Sequence, residues 1–260
     1  NAPIITKIEK PQAIDQIDDI IDAADAVMVA RGDLGVEMDF PVVPIVQKTI
    51  AHKCQVAGKP CVVATEMLES MIRSPRPTRA EVSDVANAVF DHADAVMLSA
   101  ESSIGAHPVA AVDAMKRIVV AAEEFLDRYG DRERPTVGEH STTAALAASI
   151  REVMRRQEIA AVATFSARGS SARLISKNRP GCPILALASE PAVARRACLY
   201  YGVVPKVIEL PGDVESLLNQ ICAIAKQLQL AGAGDRIIVL TSHPVGTAGG
   251  TSGLIVEEVA

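Results

Sequence analysis

Lys7 and Glu9, in the run Ile4-Ile-Thr-Lys-Ile-Glu9, are the first residues whose types and spacing suggest chemistry. Side chains two positions apart on a β-strand project to the same side, and Pro11 would end such a strand shortly afterwards. An ammonium and a carboxylate would then face the same space at the strand end. A surface ion pair is the plainer interpretation of these two residues taken alone.

A second carboxylate, Asp33, follows another apolar run, in Met28-Val-Ala-Arg-Gly-Asp-Leu-Gly35. Gly32 and Gly35 permit a tight turn whose free N–H groups can hold an anion. We expect Asp33 to arrive beside Glu9 from a neighbouring strand. Two carboxylates without a nearby histidine or cysteine suit Mg²⁺ or Mn²⁺, completed by water and substrate oxygens. A simple turn is the alternative interpretation of this run.

Thr65 occupies the corresponding place after a third apolar run, in Ala64-Thr-Glu-Met-Leu-Glu-Ser-Met71. Its hydroxyl can donate or relay a proton. Further along, Pro75 and Pro77 stiffen the loop, and Thr78 is a suitable N-cap for the helix that follows. The three segments together would bring a cation, two acids and a hydroxyl to consecutive strand ends.

The elements that would position these side chains repeat four times in the first ~125 residues. The predicted strands are Pro3–Glu9, Ala26–Asp33, Cys61–Glu66 and Ala95–Glu101, and the predicted helices are Ala13–Ala24, Val42–Ala57, Arg79–Phe90 and Pro108–Tyr129. This alternation predicts an α/β fold with a parallel sheet and chemistry at the carboxyl ends of its strands, as half of a (β/α)8 barrel. Because four units leave open strand edges, we expect pairing with missing N-terminal units, another copy or a nicked partner fragment.

A second series of elements follows a polar segment with proline and glycine, which we interpret as a linker at 130–141. The predicted helices are Thr142–Arg156, Ser171–Lys177, Ala192–Tyr201 and Val214–Leu230, and the predicted strands are Ala160–Phe165, Pro183–Ala188, Lys206–Leu210, Arg236–Leu240 and Gly253–Val259. The pattern indicates a partial barrel domain at 1–129 and a smaller α/β domain with a mostly parallel sheet at 142–260.

In the second domain, the run Thr164-Phe-Ser-Ala-Arg-Gly-Ser-Ser-Ala172 joins a predicted strand to a predicted helix. Hydroxyls and main-chain N–H groups at a helix start, with an arginine beside them, can cradle a phosphate. The candidate residues are Ser166, Arg168, Gly169, Ser170 and Ser171. A well-capped helix start explains the same residues without a ligand.

Composition excludes several classes of function. The chain has 32 acidic and 26 basic residues, a net charge of −6 and no polybasic stretch, so we expect no nucleic-acid partner. No apolar run approaches the ~20 residues that span a bilayer, so we expect no membrane partner. Five cysteines without metal spacing fit reduced thiols in a cytoplasmic protein. The start without methionine, directly in an apolar run, indicates a fragment, a shortened chain or a proteolytic product.

Five runs in this order and spacing resemble the strand-end motifs of pyruvate kinase. They are ITKIEK, VMVARGDLGVE, KPCVVATEMLESM, SPRPTRAEVSDVANAVFDHADAVMLSAES and HPVAAV. The resemblance covers most of residues 3–126 and continues more weakly to the end of the chain. It implies that the four units are strands five to eight of that family's barrel, and that the protein is a cytoplasmic homo-oligomer, a tetramer in this family.

The resemblance also implies roles for the strand-end residues. Lys7 would stabilise the phosphoryl group as it passes between phosphoenolpyruvate and ADP, giving pyruvate and ATP. Glu9 and Asp33 would hold Mg²⁺ or Mn²⁺, and the K⁺ that the family uses would have its ligands outside this chain. The 164–172 loop resembles the place where many pyruvate kinases bind a sugar-phosphate or nucleotide effector.

The remaining implied residues bind the substrate. Main-chain N–H groups of Gly32 and Asp33 would bind its carboxylate, and Arg31 belongs to the same substrate-binding set. Thr65 would lie near the methylene carbon that is protonated when the enol becomes a ketone, which makes it the second catalytic residue beside Lys7.

Two residues depart from the family pattern. Glu66 stands where glutamine is usual, and we interpret it as an exposed change of little consequence rather than one that alters the metal site. Ala100 replaces a glycine and stiffens the turn before Glu101. The larger departure is the absence of the first four barrel strands and the lid domain. We therefore predict that this chain alone has no appreciable kinase activity.

Three functions compete for this sequence. The first is the catalytic portion just described, and the second is a non-catalytic effector-binding or assembly module derived from the same family. The third is a different enolate-forming barrel enzyme, such as a lyase, that uses the same metal chemistry. The family-specific runs Met67–Met71 and Pro75–Val89 argue against the third.

Overall fold

The computed structural model describes residues 2–129, 137–138, 140–247 and 249–260. The chain divides into two compact units, Asn1–Pro135 and Thr136–Ala260. Most of the linker predicted at 130–141 lies outside the described residues, since 130–136 and 139 are not among them. Strands alternate with helices in both units, which confirms the predicted α/β class.

The first unit contains a four-stranded parallel sheet. Its strands are β1 (Ile5–Ile8), β2 (Ala26–Ala30), β3 (Cys61–Ala64) and β4 (Ala95–Met97), in that spatial order. Every residue of β3 is buried, and four of the five in β2 are, as expected for a parallel sheet covered on both faces. Because the strands are parallel, their carboxyl ends lie along one edge.

Helices connect and cover these strands. They are α1 (Pro11–Asp15), α2 (Ile17–Ala23), α3 (Arg31–Glu37), α4 (Val43–Val56), a 3₁₀ helix (Glu69–Ile72), α5 (Arg79–Phe90), α6 (Ala100–Ser103) and α7 (Pro108–Tyr129). The predicted bounds of α5 and α7 are confirmed. Thr78 caps α5 as predicted, and Glu81 completes a capping box with it.

The predicted strands were too long at their carboxyl ends. The second ends at Ala30, and Arg31 already begins α3. The fourth ends at Met97, and Glu101 lies in α6. In both cases an acidic residue, Asp33 or Glu101, lies in the first turn of a helix. Its negative charge interacts favourably with the helix dipole there, which favours a helix over a longer strand. These two polar tips are therefore helix starts rather than strand ends.

Two apolar clusters hold the first unit together. One joins β1 and β2 to α2 and α4 through residues such as Ile8, Val29 and Ile50. The other packs β3 against the segment around the 3₁₀ helix, α5 and α7 through residues such as Met67 and Val85. The carboxyl edge of the sheet is thus supported from beneath by fully buried side chains.

In its described residues, the second unit contains a five-stranded sheet and four helices. Its strands are β5 (Ala161–Phe165), β6 (Ile184–Ala188), β7 (Val203–Val207), β8 (Arg236–Ser242) and β9 (Thr251–Glu258), in the order β7-β6-β5-β8-β9. Only β9 runs antiparallel among these strands, so the sheet is mostly parallel as predicted. The helices are α8 (Thr142–Met154), α9 (Ser170–Lys177), α10 (Pro191–Ala197) and α11 (Val214–Gln227).

Two predicted elements of this unit need correction. The strand predicted at Lys206–Leu210 lies earlier, at β7, where Val203 and Val204 pair with β6. The helix predicted to continue to Tyr201 ends at Ala197. Among the described residues, no helix combines the length and apolar character needed to cross a membrane.

Candidate active site and anion-binding loop

The structure brings Lys7, Glu9 and Asp33 together at the carboxyl edge of the first sheet. The Nζ atom of Lys7 lies 2.5 Å from Oε2 of Glu9 and 2.7 Å from Oδ2 of Asp33. All three side chains are about half exposed, with relative exposures of 49, 40 and 50%. Lys7 is supplied by β1, Glu9 follows that strand, and Asp33 comes from the first turn of α3 after β2.

The two carboxylates change the protonation of the lysine and are changed by it. Hydrogen bonds to Asp33 and then Glu9 raise the pKa of Lys7 to about 12. The hydrogen bond from Lys7 in turn lowers the pKa of Asp33. The edge therefore carries a fixed ammonium and an ionised carboxylate at neutral pH.

The carboxylates of Glu9 and Asp33 fit a hard divalent ion. Their oxygens converge on a single nitrogen atom, so both lie within the reach of one small cation. The described residues contain no group of three or more acidic, histidine or cysteine side chains arranged to hold a metal. A two-carboxylate site of this kind is typical of Mg²⁺, which keeps water and substrate oxygens as its other ligands.

Thr65 and Glu66 form a strained turn directly after β3. Their φ angles are 68° and 53°, in the left-handed region that side chains disfavour at a cost of about 1–3 kcal/mol each. The Oγ1 atom of Thr65 accepts a hydrogen bond from the Gly32 N–H at 2.8 Å and donates to the Ala64 carbonyl at 2.6 Å. Non-glycine strain of this kind clusters at functional sites, where surrounding contacts hold it in place.

Gly32 lies close to this turn, at distances that would leave ordinary van der Waals contact for a Cβ atom. A Cβ atom at this position would lie 3.4 Å from Oγ1 of Thr65 and 3.8 Å from Cδ of Glu66. Its N–H, one of the two groups predicted to bind the substrate carboxylate, is directed at the Thr65 hydroxyl here. The Glu66 side chain itself is exposed.

Arg31 is not brought to Lys7. Its buried guanidinium contacts the Thr65 carbonyl at 2.8 Å, the Glu66 carbonyl at 3.0 Å and Oδ2 of Asp84 at 2.6 Å. The sequence reasoning did not single out Asp84, which lies on α5. No local signal in the sequence marks that contact, since the partners are 53 positions apart.

Glu101 lies in the protein interior, between the segments that follow β3 and β4. Its side chain is fully buried and accepts hydrogen bonds from the Leu68 N–H at 3.0 Å and the Ser99 N–H at 2.7 Å. It thereby ties the segment after β3 to the segment after β4. Ala100, which replaces the family's glycine, begins α6 and is compatible with this arrangement.

The loop between β5 and α9 contains the second group of candidate residues. It follows β5, and the strand order of the second sheet reverses between β5 and its neighbour β8, a place where open α/β sheets bind ligands. Gly169 caps α9 with a φ of 87°, and Oγ of Ser171 is 3.0 Å from Oγ1 of Thr251 on β9. Ser166 is 4% exposed, and its buried hydroxyl has no hydrogen-bond partner in the described structure.

Arg168 and Ser170 complete this loop. Ser170 is the first residue of α9, and a Cβ atom added to Gly249 would lie 3.4 Å from Nη2 of Arg168. The segment that joins β8 to β9, which contains Gly246, Gly249 and Gly250, thus approaches the arginine, although residue 248 lies outside the described residues. The arrangement offers hydroxyls, main-chain N–H groups and one guanidinium to an anion.

Comparisons with known proteins give one consistent result. The family profile "Pyruvate kinase, barrel domain" matches residues 1–112, and "Pyruvate kinase, alpha/beta domain" matches 144–257. A pyruvate kinase from Agrobacterium vitis is 43% identical over 259 residues, covering 99% of this chain and 54% of that protein. One from Sporosarcina psychrophila is 41% identical over 255 residues, covering 97% of this chain and 43% of that protein.

A solved structure agrees with these relatives. The crystal structure of a pyruvate kinase from Cryptosporidium parvum superposes with a TM-score of 0.92 at 37% identity, covering 99% of this chain and 52% of that one. The chain spans about half the length of the curated relatives it matches. The order of the strand-end motifs, both profiles and the shared fold agree, and the chain belongs to the pyruvate kinase family.

Proposed function

We propose that this chain is the carboxy-terminal portion of a pyruvate kinase, an enzyme that transfers a phosphoryl group from phosphoenolpyruvate to ADP and gives pyruvate and ATP. The observation that carries the proposal is the convergence of Glu9 and Asp33 on the ammonium of Lys7. A fixed cation beside a hard two-carboxylate metal site is what phosphoryl transfer needs, because the transferred group spreads negative charge over its oxygens.

Each group at the edge has a distinct role in this proposal. The Lys7 ammonium stabilises the transferring phosphoryl group, and its raised pKa keeps it charged throughout the physiological range. Glu9 and Asp33 hold Mg²⁺ or Mn²⁺, which when bound supplies Lewis-acid polarisation of the substrate oxygens. The attraction between these carboxylates and Lys7 also fixes where the ammonium lies before substrate arrives.

The Thr65 turn serves the substrate side of the reaction. The N–H groups of Gly32 and Asp33 bind the substrate carboxylate at the start of α3, where the helix dipole favours an anion. In this arrangement the substrate carboxylate takes the Gly32 N–H that Thr65 accepts in the structure. The Thr65 hydroxyl then lies near the carbon that is protonated as the enol becomes pyruvate.

The larger assembly is also part of the proposal. Residues 1–129 form the last four units of an eight-stranded barrel, and 142–260 form a regulatory and oligomerisation domain after a linker at 130–141. The supporting observation is that β1 and β4 end the described sheet, so each has one edge available for further strands. The remaining barrel strands supply the K⁺ ligands, and the complete enzyme is a cytoplasmic tetramer.

A coupled pyruvate assay tests the proposal in two steps. Residues 1–260 alone should show no turnover, because the missing half leaves the phosphate clamp and water exclusion incomplete. Co-expression with the segment encoded upstream should produce Mg²⁺-dependent turnover that Lys7→Met removes. Full turnover by the isolated chain would refute the incomplete-site proposal, and absence of turnover in both forms would refute the enzyme.

A second function, a non-catalytic effector-binding or assembly module, is favoured by one observation. The Ser166 hydroxyl, in the loop that leads to the start of α9, is buried and has no hydrogen-bond partner in the described structure. We propose that this loop binds the phosphate of a small effector. Titration with a labelled sugar phosphate tests it, and binding that survives Arg168→Ala and Ser170→Ala would place the ligand elsewhere.

A further inference from the structure

Arg31 is the centre of a polar network that the proposed chemistry does not use. Its side chain is only 9% exposed, so its donors must be satisfied by the protein. Nε and Nη2 both donate to the Thr65 carbonyl, at 3.3 and 2.8 Å, and Nη2 also donates to the Glu66 carbonyl at 3.0 Å. The guanidinium fork therefore holds the main chain of the strained turn at two successive carbonyls.

The strained turn needs such an anchor. Thr65 and Glu66 both adopt left-handed φ angles without being glycine, a conformation that persists only when surrounding contacts hold it. Charge-assisted hydrogen bonds from a planar guanidinium are among the strongest neutral-pH contacts available to a main-chain carbonyl. Arg31 thus supplies the contact that the backbone conformation requires.

The side chain of Thr65 points back at the residue next to Arg31. The Gly32 N–H donates to Oγ1 of Thr65 at 2.8 Å, while the Arg31 side chain donates to the Thr65 carbonyl. The first turn of α3 and the turn after β3 are therefore joined by two sets of hydrogen bonds, both donated from the α3 side and accepted by Thr65. Loss of the Arg31 contact would release the Thr65 hydroxyl from its place above Gly32.

The third nitrogen of the guanidinium, Nη1, contacts side chains of α4 and α5. Nη1 lies 2.6 Å from Oδ2 of Asp84, and 3.4 Å from Oε1 of Gln47. The Gln47 amide in turn donates to Asp91 at 2.9 Å, which also pairs with Lys48. These contacts orient the guanidinium and connect the strained turn at Thr65 and Glu66 to α4 and α5.

We propose that Arg31, oriented by Asp84, is a positioning residue that sets the Thr65 hydroxyl for proton transfer and does not touch substrate. The assignment of a reaction step rests on the proposed function, whereas the mechanical link between Arg31 and the turn does not. Lysine cannot replace this arginine, because a single ammonium lacks the planar fork that spans two carbonyls.

Amide hydrogen exchange on residues 1–260 tests the mechanical link without any activity. Arg31→Lys should speed exchange of the Gly32 N–H by about tenfold, the scale of losing a charge-assisted contact. Exchange of the Val63 amide, in the buried strand β3, should stay unchanged and shows that the fold is intact. Asp84→Asn keeps the shape of the side chain and should also speed exchange of the Gly32 N–H, but by a smaller factor.

Arg117→Lys is the matched control, because Arg117 pairs with Asp113 on the surface of α7 and is 80% exposed. It should leave the Gly32 exchange rate unchanged. An unchanged Gly32 rate in Arg31→Lys would overturn the proposal, whether or not any form of the protein is an active kinase. Absence of turnover with accelerated exchange would instead refute the proposed function and leave the mechanical link standing.

A second measurement tests the reaction step in the active, co-expressed form. Solvent deuterium replaces the methyl hydrogens of pyruvate when a methyl proton leaves and a deuteron returns to the same carbon. Arg31→Lys should slow this exchange by about tenfold while the KM for phosphoenolpyruvate changes by less than about twofold. In a Thr65→Val background, Arg31→Lys should have no further effect, because the two residues act in series.

An arginine that touched substrate would behave differently. Arg31→Lys would then raise the KM for phosphoenolpyruvate, and the loss would persist in the Thr65→Val background. Either result in the active form would overturn the positioning role.

Discussion

The two candidate sites of this chain, the active site at the first sheet and the loop before α9, are built in different ways. At the strand edge of the first unit, Lys7 is held between Glu9 and Asp33, so a full cation is balanced by full negative charges. In the loop before α9, hydroxyls, main-chain N–H groups and one arginine replace the charged cluster. The first arrangement suits a reacting group and a metal, since charge must be fixed where charge develops. The second suits a ligand that only binds and leaves.

Removal of the lysine should break the first arrangement with the largest effect. In the active, co-expressed form, Lys7→Met should lower kcat by about 10²–10³-fold or more, because a preorganised charge at the reacting group is lost. The pKa of Asp33 should rise toward its ordinary value, since the Lys7 hydrogen bond is what lowers it. A coupled assay and an NMR titration of the Asp33 carboxyl measure the two effects. Lys53→Met, which removes a surface pair with Asp18, is the control.

Removal of either carboxylate should have the second-largest effect, which is a loss of metal affinity. Asp33→Asn and Glu9→Gln should each weaken Mn²⁺ binding to residues 1–260 by about tenfold or more, because a two-carboxylate site has few other protein ligands. Water proton relaxation by Mn²⁺ gives the affinity. Glu37→Gln changes an acid of the same helix that pairs with Lys10 and should leave it unchanged. Equal weakening in this control would mean that general charge, not a site, attracts the metal.

The stabilisation that Glu81 supplies in the first turn of α5 should depend on pH. Burial acts to raise the pKa of Glu81, but hydrogen bonds from Ser70 and Thr78 outweigh it, and the net pKa is lowered. A group with a lowered folded pKa stabilises the protein above its unfolded pKa, and this stabilisation disappears as pH falls through the folded value. Glu81→Gln should therefore cost about 1–2 kcal/mol at pH 7.

The difference between wild type and Glu81→Gln should shrink in acid, because protonation makes the two side chains alike. Urea unfolding at pH 7 and at an acidic pH below the folded pKa of Glu81 measures this difference in the free energy of unfolding. Glu69→Gln, on an exposed acid of the adjacent 3₁₀ helix, should change little at either pH. A constant difference across the titration would show that the carboxylate charge does not contribute.

The smallest effect belongs to the α9 loop. Gly169→Ala should destabilise the second unit by about 1 kcal/mol, because a φ of 87° is unfavourable for any residue with a Cβ atom. Gly212→Ala, at a glycine with open space around it and no positive φ, is the matched control. Thermal unfolding compares them. Equal stability of the two variants would mean that the loop can relax without its left-handed residue.

The sequence predicted the meeting of Lys7, Glu9 and Asp33 more reliably than the ends of the strands that supply them. The spacing of Lys7 and Glu9 indicated a shared side, and Asp33 was expected beside them, where the structure places it. The bounds of α5 and α7 also followed from periodicity and capping. The ends of the second and fourth strands were wrong, because local sequence does not show where a strand gives way to a helix turn.

Arg31 shows what local reasoning cannot supply. The family resemblance placed it in the substrate-binding set, and in the structure its guanidinium contacts Thr65 and Asp84. Both neighbours are more than 30 positions away, so only the tertiary arrangement that brings α5 and the turn after β3 beside Arg31 determines which way the side chain faces.

By itself, the sequence determined the alternation of strands and helices and the supply of a cation, acids and a hydroxyl to one edge, because periodicity and parallel pairing are local rules. The tertiary structure alone decided which donor meets which acceptor there. Buried polar groups must find partners, and for Arg31 and Glu101 those partners include main-chain groups of turns that are distant in sequence. Such pairings depend on how helices pack, which no spacing along the chain records.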